Sequence, residues 1–536
     1  MSTGAPLPPE PSPGAPVTAG LPDGKDTAPD AQADLEWRRL HPVTPLVRGW
    51  AVIAVAIFFF GQQSVEGMAA GEGAGLPTDS WLLVVGGLLA VGLVVGLFSW
   101  LSWRMMRYAY DADAVHVHSG ILFRQQRKVR LDRLQAIDVV KPLLARFFGL
   151  AELKLEVAGG LDSGVKLGFL RDADAARLRN ALLARAAGAV EEDGSAPVVE
   201  APERQVLDLP VGRLVGSLLL SVAAILLLLA AVGAVVATVV SGNVGVLAPL
   251  VPGIIGVGAF LGGRFTGDFG FTGAISPDGI RLRRGLLETR SQTIPPGRVQ
   301  AIRLRQGVLW RRFDWWRVEV NVAGYGLDMG STTQASTVLL PVGTRDDALR
   351  ALWLVLPDLG TEDPTSVLHA AMSGSGEDHG FTTSPRSARW LDPLSWSRNG
   401  FAVLGRGLLI RRGRLVRSVV MVPHERTQSI GVTQGPLQRR LDVGTVVLHS
   451  TTGPVIPQVV HLAVHDAGVL VRDQAERARD ARKHAGPERW MEALAVGEAI
   501  PEAGVPEAEP LARVAAPQPD ESPVPPAPGP VGEAPR

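Results

Sequence analysis

Arginine and glutamine recur at a fixed spacing in three places of the chain, and these pairs are the first candidates for binding chemistry. They are Arg133 with Gln135, Arg298 with Gln300, and Arg426 with Gln428. An arginine guanidinium can hold a phosphate or carboxylate through two parallel hydrogen bonds. A glutamine amide, which both donates and accepts, can instead tie a strand to neighbouring backbone. A ligand-binding role and a structural role are therefore both open, and the recurrence in every copy favours the structural one.

Two tandem arginine pairs, Arg311 with Arg312 and Arg439 with Arg440, are better candidates for binding. Each pair lies beside apolar residues, which are Leu309 and Trp310 in one case and Leu437 in the other. Such pairs suit anionic lipid headgroups or an acidic protein partner. The alternative is that they are solvated loop charges.

No catalytic constellation accompanies these residues. The chain has no cysteine, which excludes disulfides, thiolate metal sites and cysteine nucleophiles. The phosphate-binding loop, zinc-protease helix and hydrolase nucleophile motifs do not occur. His116 with His118, and His461 with His465, lack a third ligand at a suitable spacing. We therefore predict that the protein is not an enzyme and has no catalytic, cofactor-binding or metal-binding residues.

The elements that position the arginines are three copies of one unit. The copies start at Gly120, Gly285 and Gly413 and align without a gap. The motif arginine lies 13 residues after each glycine, the glutamine 15, an isoleucine 17, and a further leucine and arginine 24 and 26. Self-similarity of this kind indicates a repeated fold. Short alternating strands, such as the one with Val318, Val320 and Val322 on one face, followed by a helical stretch predict a small β-barrel or sandwich closed by a helix.

Four long apolar runs interrupt the repeats, at 46–64, 80–103, 211–240 and 244–263. They raise the hydrophobic content to 46% and predict four transmembrane helices in two hairpins. The cations that flank the runs all lie on one side, so the positive-inside rule places both termini and all three units in the cytoplasm. No ionisable residue lies in the middle of a run, which argues against ion-coupled transport.

The predicted protein is therefore an α+β membrane protein with four transmembrane α-helices and three small antiparallel β-barrel units, each closed by a C-terminal helix. Its terminal segments carry net charges of −4 and −5, which leaves +9 on the body, a distribution that suits an anionic inner leaflet. Residues 389–398 interleave tryptophan and arginine and are expected either at the membrane interface or packed on the third unit. The predicted segments are a disordered tail (1–40), hairpin 1 (46–64 and 80–103), unit 1 (105–188), hairpin 2 (211–240 and 244–263), unit 2 (268–358), a linker (359–388), unit 3 (389–485) and an acidic Pro-rich disordered tail (486–536).

The repeat resembles the bacterial pleckstrin-homology family, in the subgroup of YdbT-like membrane proteins. The resemblance rests on the glycine, the Arg-x-Gln-Ala/Ser-Ile motif, the downstream Leu-x-Arg and the closing helix, and it covers about residues 40–485. It implies a curved antiparallel β-barrel with a C-terminal helix in each unit, and it implies no settled biochemical activity. The chain departs from the family pattern because a polar linker, not a third hairpin, precedes its last unit.

These observations favour a non-enzymatic scaffold or binding platform in the bacterial inner (plasma) membrane, serving envelope homeostasis or protection. The expected partners are the membrane, anionic lipid headgroups and a protein such as another bacterial pleckstrin-homology membrane protein. Nucleic acid is not an expected partner. The alternative is a component of a membrane transport or export system built on the four helices.

Overall fold

The computed structural model describes the three sequence copies as three α+β units. It describes the residues 37–42, 44, 80–111, 114–120, 124–131, 134–157, 165–186, 204–276, 279–294, 297–323, 338–451 and 453–484. Each unit contains a four-stranded antiparallel sheet, then three further antiparallel strands, then a closing helix.

Unit 1 follows this plan. Its four-stranded sheet has the order β1 (Arg38–Arg39), β2 (Arg107–Tyr110), β3 (Ala114–Ser119) and β4 (Gln125–Arg130). Its further elements are helix α1 (Ser80–Met105) before β2, then β5 (Leu134–Pro142), the short helix α2 (Leu143–Phe147), β6 (Leu150–Val157), β7 (Val165–Arg171) and the closing helix α3 (Asp172–Ala186).

Unit 2 repeats the plan with a helical hairpin inserted after its first strand. The hairpin lies between β8 (Arg204–Asp208) and β9 (Thr272–Ser276), and consists of α4 (Val211–Leu219), α5 (Val222–Ser241), the 3-10 turn Val244–Leu247 and α6 (Leu250–Asp268). The remaining elements are β10 (Gly279–Arg284), β11 (Glu288–Ile294), β12 (Val299–Gln306), the 3-10 helix Leu309–Phe313, β13 (Trp316–Val322), β14 (Val338–Gly343) and the closing helix α7 (Arg345–Val355).

Unit 3 begins with a helix that precedes its first strand. Its elements are α8 (Pro364–Ser373), the 3-10 turn Asp378–Gly380, β15 (Thr382–Thr383), the 3-10 turn Arg386–Trp390, β16 (Gly400–Val403), β17 (Gly407–Arg412), β18 (Arg417–Pro423), the 3-10 turn His424–Arg426, β19 (Ser429–Thr433), the short helix α9 (Pro436–Arg440), β20 (Val443–His449), β21 (Gln458–Ala463) and the closing helix α10 (Val464–His484).

The units are joined to each other through their sheets. Strand β5 of unit 1 pairs with β11 of unit 2, and β12 of unit 2 pairs with β18 of unit 3. Two seven-stranded sheets result, each made from two units. Alternate side chains of β18 therefore enter different cores: Val419 and Met421 pack in the core of unit 2, while Val420 and Val422 pack in that of unit 3.

Side-chain alternation explains the strands, and the stacking of units explains where it fails. The predicted face of β13 is confirmed, because Val318, Val320 and Val322 are at most 1% exposed. Its other face is also buried, with Glu319 at 7% and Asn321 at 1%. Asn321 Nδ2 donates to the Val455 carbonyl of unit 3 at 2.7 Å, so the polar face of one unit is covered by the next.

The predicted unit boundaries need correction at their N-terminal ends. The first strand of each four-stranded sheet lies before the insertion, so units 1 and 2 include β1 and β8, which the ranges 105–188 and 268–358 leave out. The hairpin is thus inserted into a unit rather than placed before it. A strand of two to five residues next to a long apolar run has too little alternation to be recognised.

The predicted linker 359–388 is also wrong, because this segment is folded. Helix α8 buries Leu368, Ala371 and Met372, and Phe381 is 2% exposed. The prediction rested on polar composition, but alternating small and apolar residues in α8 are enough to cover one face of the sheet of unit 3. Unit 3 therefore begins before residue 389.

Two of the helices in the described part of the chain are long and apolar enough to cross a membrane, Val222–Ser241 and the helical segment Val244–Asp268. The predicted run 211–240 is broken, because Ser221 caps α5 by accepting a hydrogen bond from the Ala224 amide and leaves α4 outside the span. The predicted run 80–103 forms the continuous 26-residue helix α1, whose side chains are described only in part. The predicted span 46–64 and both predicted tails, apart from residues 37–40, lie outside the described residues, so the count of four spans stays a prediction.

Candidate functional site

The candidate site is an edge of the molecule built from three kinds of segment, which we call the insertion edge. Its first component is the insertion between the first and second strands of each unit. In unit 2 the insertion is the helical hairpin, and in unit 3 it is the short segment 384–399. Trp390 and Leu394 in that short segment are 73% and 53% exposed. The stretch 389–398, noted in the sequence for its tryptophans, thus occupies the topological position of a membrane hairpin.

The second component is a short helix after the first strand of each three-stranded part, which we call tips 1, 2 and 3 (Leu143–Phe148, Val308–Phe313 and Pro436–Arg440). Tip 1 exposes Phe147 by 87%, tip 2 exposes Phe313 by 51% and tip 3 exposes Leu437 by 62%. Each tip also carries one or two arginines in its last turn. Exposed apolar side chains beside arginine are typical of surfaces that contact membranes or proteins.

The third component is the turn before the fourth strand of units 2 and 3, and this turn joins the tips to the insertions. In unit 2 the Leu286 amide donates to the Thr266 carbonyl of α6 at 2.8 Å. In unit 3 the Arg414 amide donates to Ser395 Oγ of the insertion at 3.1 Å. Both turns expose a leucine, Leu287 by 53% and Leu415 by 55%, so the apolar exposure continues from segment to segment.

Tips 1 and 2 each contact the next unit through the arginine at the same position of the repeat. Arg146 Nη1 donates to Thr289 Oγ1 at 3.1 Å, and Arg311 Nη2 donates to the Leu415 carbonyl at 2.7 Å. Both arginines lie 26 residues after the repeat glycine, as does Arg439. Arg311 and Arg312 were predicted as an equivalent pair, but the structure separates them: Arg311 bridges two units, while Arg312 is exposed.

Tip 2 is connected to the base of the helical hairpin through the neighbouring Trp315. Phe313 and Trp315 stack with ring centroids 4.8 Å apart. A Cβ built on Gly216 of α4 would lie 3.0 Å from Cη2 of Trp315. Helix α4 packs Leu214 and Leu218 on unit 2. On another face it exposes three apolar residues spaced about one helical turn apart, Val211, Val215 and Leu219.

Positive charge is concentrated where tip 2 meets unit 3. Burial and then the neighbouring cations Arg417 and Arg414 lower the pKa of the Arg311 guanidinium. Like charges at such a position repel each other, so an anion that approaches them is attracted. Arg439 and Arg440 of tip 3 are exposed, and they lie outside this group of cations.

The Arg-x-Gln motif lies away from the tips, at the start of the three-stranded part. Strands β5 and β12 have an irregularity at the motif glutamine, between Leu134 and Ala136 and between Val299 and Ala301. A bulge of this kind bends a strand, which agrees with the structural interpretation. The copies differ, however, since Gln300 is 6% exposed and Gln428 is exposed. Arg133 and the side chain of Gln135 lie outside the described residues, and the role of the motif stays a prediction.

Arg298 and Arg426 lie near the motif glutamines. Arg298 is half-buried, and Arg426 places its guanidinium 3.5 Å from the position of a Cβ on Gly297 of the preceding unit. Both side chains therefore lie in the body of the molecule, where they can stabilise the packing of neighbouring segments.

Two buried arginines that the sequence did not single out hold unit 3 together. Arg411 is 0% exposed and donates to the carbonyls of Arg398, Ala370 and Gly376. Arg398 donates to the carbonyls of Ala371, Met372 and Gly374. Together they satisfy the free carbonyls at the C-terminus of α8. Burial lowers the pKa of Arg398 to about 9 and that of Arg411 to about 10.

The histidines provide no metal site within the described ranges. His116 Nε2 lies 2.9 Å from Asp111, and His461 Nδ1 lies 3.0 Å from the Gln438 amide nitrogen. No group of three histidine or acidic side chains in the described part of the chain could hold a metal ion.

Comparison with known families decides the identity of the repeat. A family model described as the bacterial PH domain matches the chain three times, over residues 63–186, 211–352 and 370–484. The chain belongs to the bacterial PH domain family. Its third PH match begins within α8 and thus includes much of the segment that was predicted as a linker.

The chain is also similar to a protein described as transmembrane. It is 23% identical over 296 residues to the "UPF0699 transmembrane protein YdbT" of Bacillus subtilis (strain 168). The similarity covers 48% of this chain and 58% of that relative. The chain therefore matches little more than half the length of a relative described as transmembrane.

Proposed function

We propose that the chain is a non-enzymatic platform of the bacterial inner membrane, whose three PH units lie with their insertion edge on the cytoplasmic leaflet. The observation that carries this proposal is the insertion of unit 3. It occupies the position of a membrane hairpin, is too short to span, and exposes Trp390 and Leu394. A tryptophan next to an arginine suits the headgroup region, and the Arg389 guanidinium lies 5.5 Å from the Trp390 ring centroid.

The tips support the same placement. Trp315, which stacks on Phe313 of tip 2, lies against α4, whose C-terminal end is followed directly by the apolar helix α5. Tip 1 is hydrogen-bonded to Thr289 of β11, three residues after Leu286, whose amide donates to the Thr266 carbonyl near the end of α6. Full burial of one phenylalanine stabilises membrane contact by about 1.5–3 kcal/mol, and each arginine near an anionic surface by about 1 kcal/mol. The apolar contribution should resist salt, whereas the contribution of the arginines should be screened.

Charged residues at both ends of the hairpin support the proposed orientation. Arg213 lies before the first membrane helix of the hairpin and pairs with Asp347 of α7 at 2.8 Å. Asp268 ends the second helix and lies 3.7 Å from Arg317 and 3.9 Å from Arg284. These contacts tie both ends of the hairpin to unit 2, and the preference of Lys and Arg for cytoplasmic segments supports a cytoplasmic position for this unit.

A single-cysteine fluorescence experiment tests the proposal, because the natural chain has no cysteine. Leu394→Cys and the control Ile456→Cys place a dye on exposed aliphatic positions of the same unit, which are 53% and 64% exposed. The full chain is reconstituted into nanodiscs that contain a lipid-borne quencher, with either anionic or neutral lipid. We expect quenching at Leu394→Cys, stronger with anionic lipid, and little quenching at Ile456→Cys.

Equal quenching at the two positions in both lipids would contradict the proposed placement. Purified protein in sealed vesicles provides the functional comparison. Robust solute flux would favour the alternative of a transport or export component.

A further inference from the structure

The two junctions between units are built in the same way. Each pairs the first strand of the three-stranded part of one unit with the fourth strand of the next unit. In the first junction Val140 faces Arg290, which lie 20 and 5 residues after their repeat glycines. In the second Ile302 faces Met421, which lie 17 and 8 residues after theirs. In every facing pair of both junctions, the distances of the two residues from their repeat glycines, counted in residues, add up to 25. The two junctions therefore have the same register.

Each end of the three-unit array has one strand of this kind left over. Strand β4 of unit 1 is the counterpart of β11 and β18, and β19 of unit 3 is the counterpart of β5 and β12. Among the described strands, β4 pairs only with β3 and β19 only with β20. Gln126 of β4 is exposed and Val432 of β19 is 47% exposed, whereas the corresponding strands β12 and β18 inside the array are mostly buried. An unpaired strand edge is a template for another chain.

We propose that β19 of one copy of this chain pairs with β4 of a second copy, in the register of the internal junctions. That register places Val432 opposite Gln126 and Ile430 opposite Lys128. The contact uses a different surface on each copy, so it is heterologous and yields a closed ring or an open row of molecules. Anchoring in a common membrane raises the effective concentration of one edge for the other.

The charges of the two edges are compatible with this pairing. Strand β4 carries Arg127, Lys128 and Arg130, while β19 (Ser-Ile-Gly-Val-Thr) carries no charged residue. Cations on an edge strand can also serve to prevent pairing. They do not do so inside this chain, where Arg290 faces Val140 and Arg303 faces Val420. A cation opposite a neutral side chain is therefore already the arrangement of both internal junctions.

The repeat arginine provides a second, independent sign of an unfilled junction. Arg146 and Arg311 each donate to the following unit. Their counterpart Arg439 is exposed, and among the described residues no further unit follows it and none accepts a hydrogen bond from its guanidinium. A second copy would place the segment before β4, which contains Arg124, near this arginine. The Leu415 carbonyl that Arg311 uses shows that a backbone acceptor is sufficient there.

Disulfide trapping tests the pairing in the full chain, which has no cysteine of its own. Facing residues of antiparallel strands have Cα atoms about 4.5–5.5 Å apart, within the range of about 4.4–6.8 Å that a disulfide needs. Copies with Gln126→Cys and differently tagged copies with Val432→Cys are mixed in proteoliposomes and oxidised mildly. We expect a product of twice 56.8 kDa that carries both tags and is lost on reduction. A chain with both substitutions should give a ladder of higher multiples.

The matched control pairs Lys128→Cys with Val432→Cys, a shift of two residues on the same face. Its Cα atoms would be about 7–8 Å apart, so we expect little dimer. Equal yields from the two pairs, no dimer from the facing pair, or a disulfide within one doubly substituted chain would overturn the proposal. A dimer from Gln126→Cys alone would also overturn the head-to-tail arrangement. All substituted positions lie on exposed side chains, and unchanged melting temperatures will show that the variants fold.

Discussion

Replacement of Arg411 by methionine is the sharpest perturbation of the packing of α8 within unit 3. The side chain is fully buried, donates to three carbonyls, and places its guanidinium 4.0 Å from the centroid of Phe381. Methionine has a similar length and fills the space but donates no hydrogen bond. The substitution therefore removes the polar contacts with little change in packing volume.

The magnitude follows from the acceptors that are left. Among the described groups, the Gly376 and Arg398 carbonyls lose the partner that Arg411 supplied, whereas the Ala370 carbonyl still accepts from the Gly374 amide at 2.9 Å. A buried acceptor without a partner costs about 1–3 kcal/mol, so two cost about 2–6 kcal/mol. Release of the buried charge offsets part of this, because burial already lowers the pKa of Arg411 to about 10. We expect a net loss of about 2–4 kcal/mol.

The assay compares thermal unfolding of Arg411→Met and Arg412→Met in the same detergent. Arg412 is the adjacent, exposed residue, and its replacement should change stability by less than about 0.5 kcal/mol. Limited proteolysis should at the same time show faster cleavage between α8 and β16 in Arg411→Met only. Equal melting temperatures for the two variants would refute the argument that Arg411 holds this segment in place.

Three further changes test other parts of the fold. Burial lowers the pKa of His424 below its ordinary value of 6.5. As the pH falls through about 6.5, the unfolded chain therefore takes up a proton before the folded chain does, and stability declines. His424→Gln should reduce the dependence of the melting temperature on pH in this range. Gly216→Val should cost about 1–3 kcal/mol by crowding Trp315, whereas Gly212→Val, with no atom within 4 Å of its Cβ position, should not. Leu368→Ala should lower the free energy of unfolding by about 2–5 kcal/mol in a melting experiment because the residue is 2% exposed. An unchanged stability would show that α8 does not pack on unit 3 and would favour a linker.

The repeated unit could be predicted from the sequence because its signals are local. The glycines at 120, 285 and 413 have positive φ of 103°, 111° and 77° in tight turns. Glycine adopts such a conformation more easily than any other residue, so these positions keep a glycine by which the three copies can be aligned. The alternation of Val318, Val320 and Val322 is a second signal, since every other residue of β13 faces one core.

The junctions between units could not be predicted in the same way. Pairing of β12 with β18 joins Arg305 to Ser418, residues more than a hundred positions apart with no complementary pattern. The insertion point was missed because β1 contains two residues and β15 two. In the sequence, Arg398 and Arg411 cannot be distinguished from solvent-exposed arginines. Their burial is explained only by the hydrogen bonds that they donate to carbonyls at the end of α8.

The candidate surface was found in part. The tandem arginines indicated tips 2 and 3, but the exposed Phe147 and Phe313 were overlooked, although they follow the repeat arginine by one and two residues. Arg311 belongs to the junction rather than to a free surface. Experiments on unit 3 therefore need the full chain, because removal of unit 2 would separate β18 from β12 and expose Val419 and Met421.

Hydrogen exchange of the full chain in nanodiscs tests the proposed contact between the insertion edge and the membrane. Amides of tip 1 (Leu143–Phe148), tip 2 (Val308–Phe313) and the insertion segment 389–398 should exchange more slowly with anionic than with neutral lipid, and high salt should reduce the difference. The loop 453–457, on unit 3 but outside the insertion edge, should exchange equally in both. Equal exchange of all four segments in the two lipids would contradict the account.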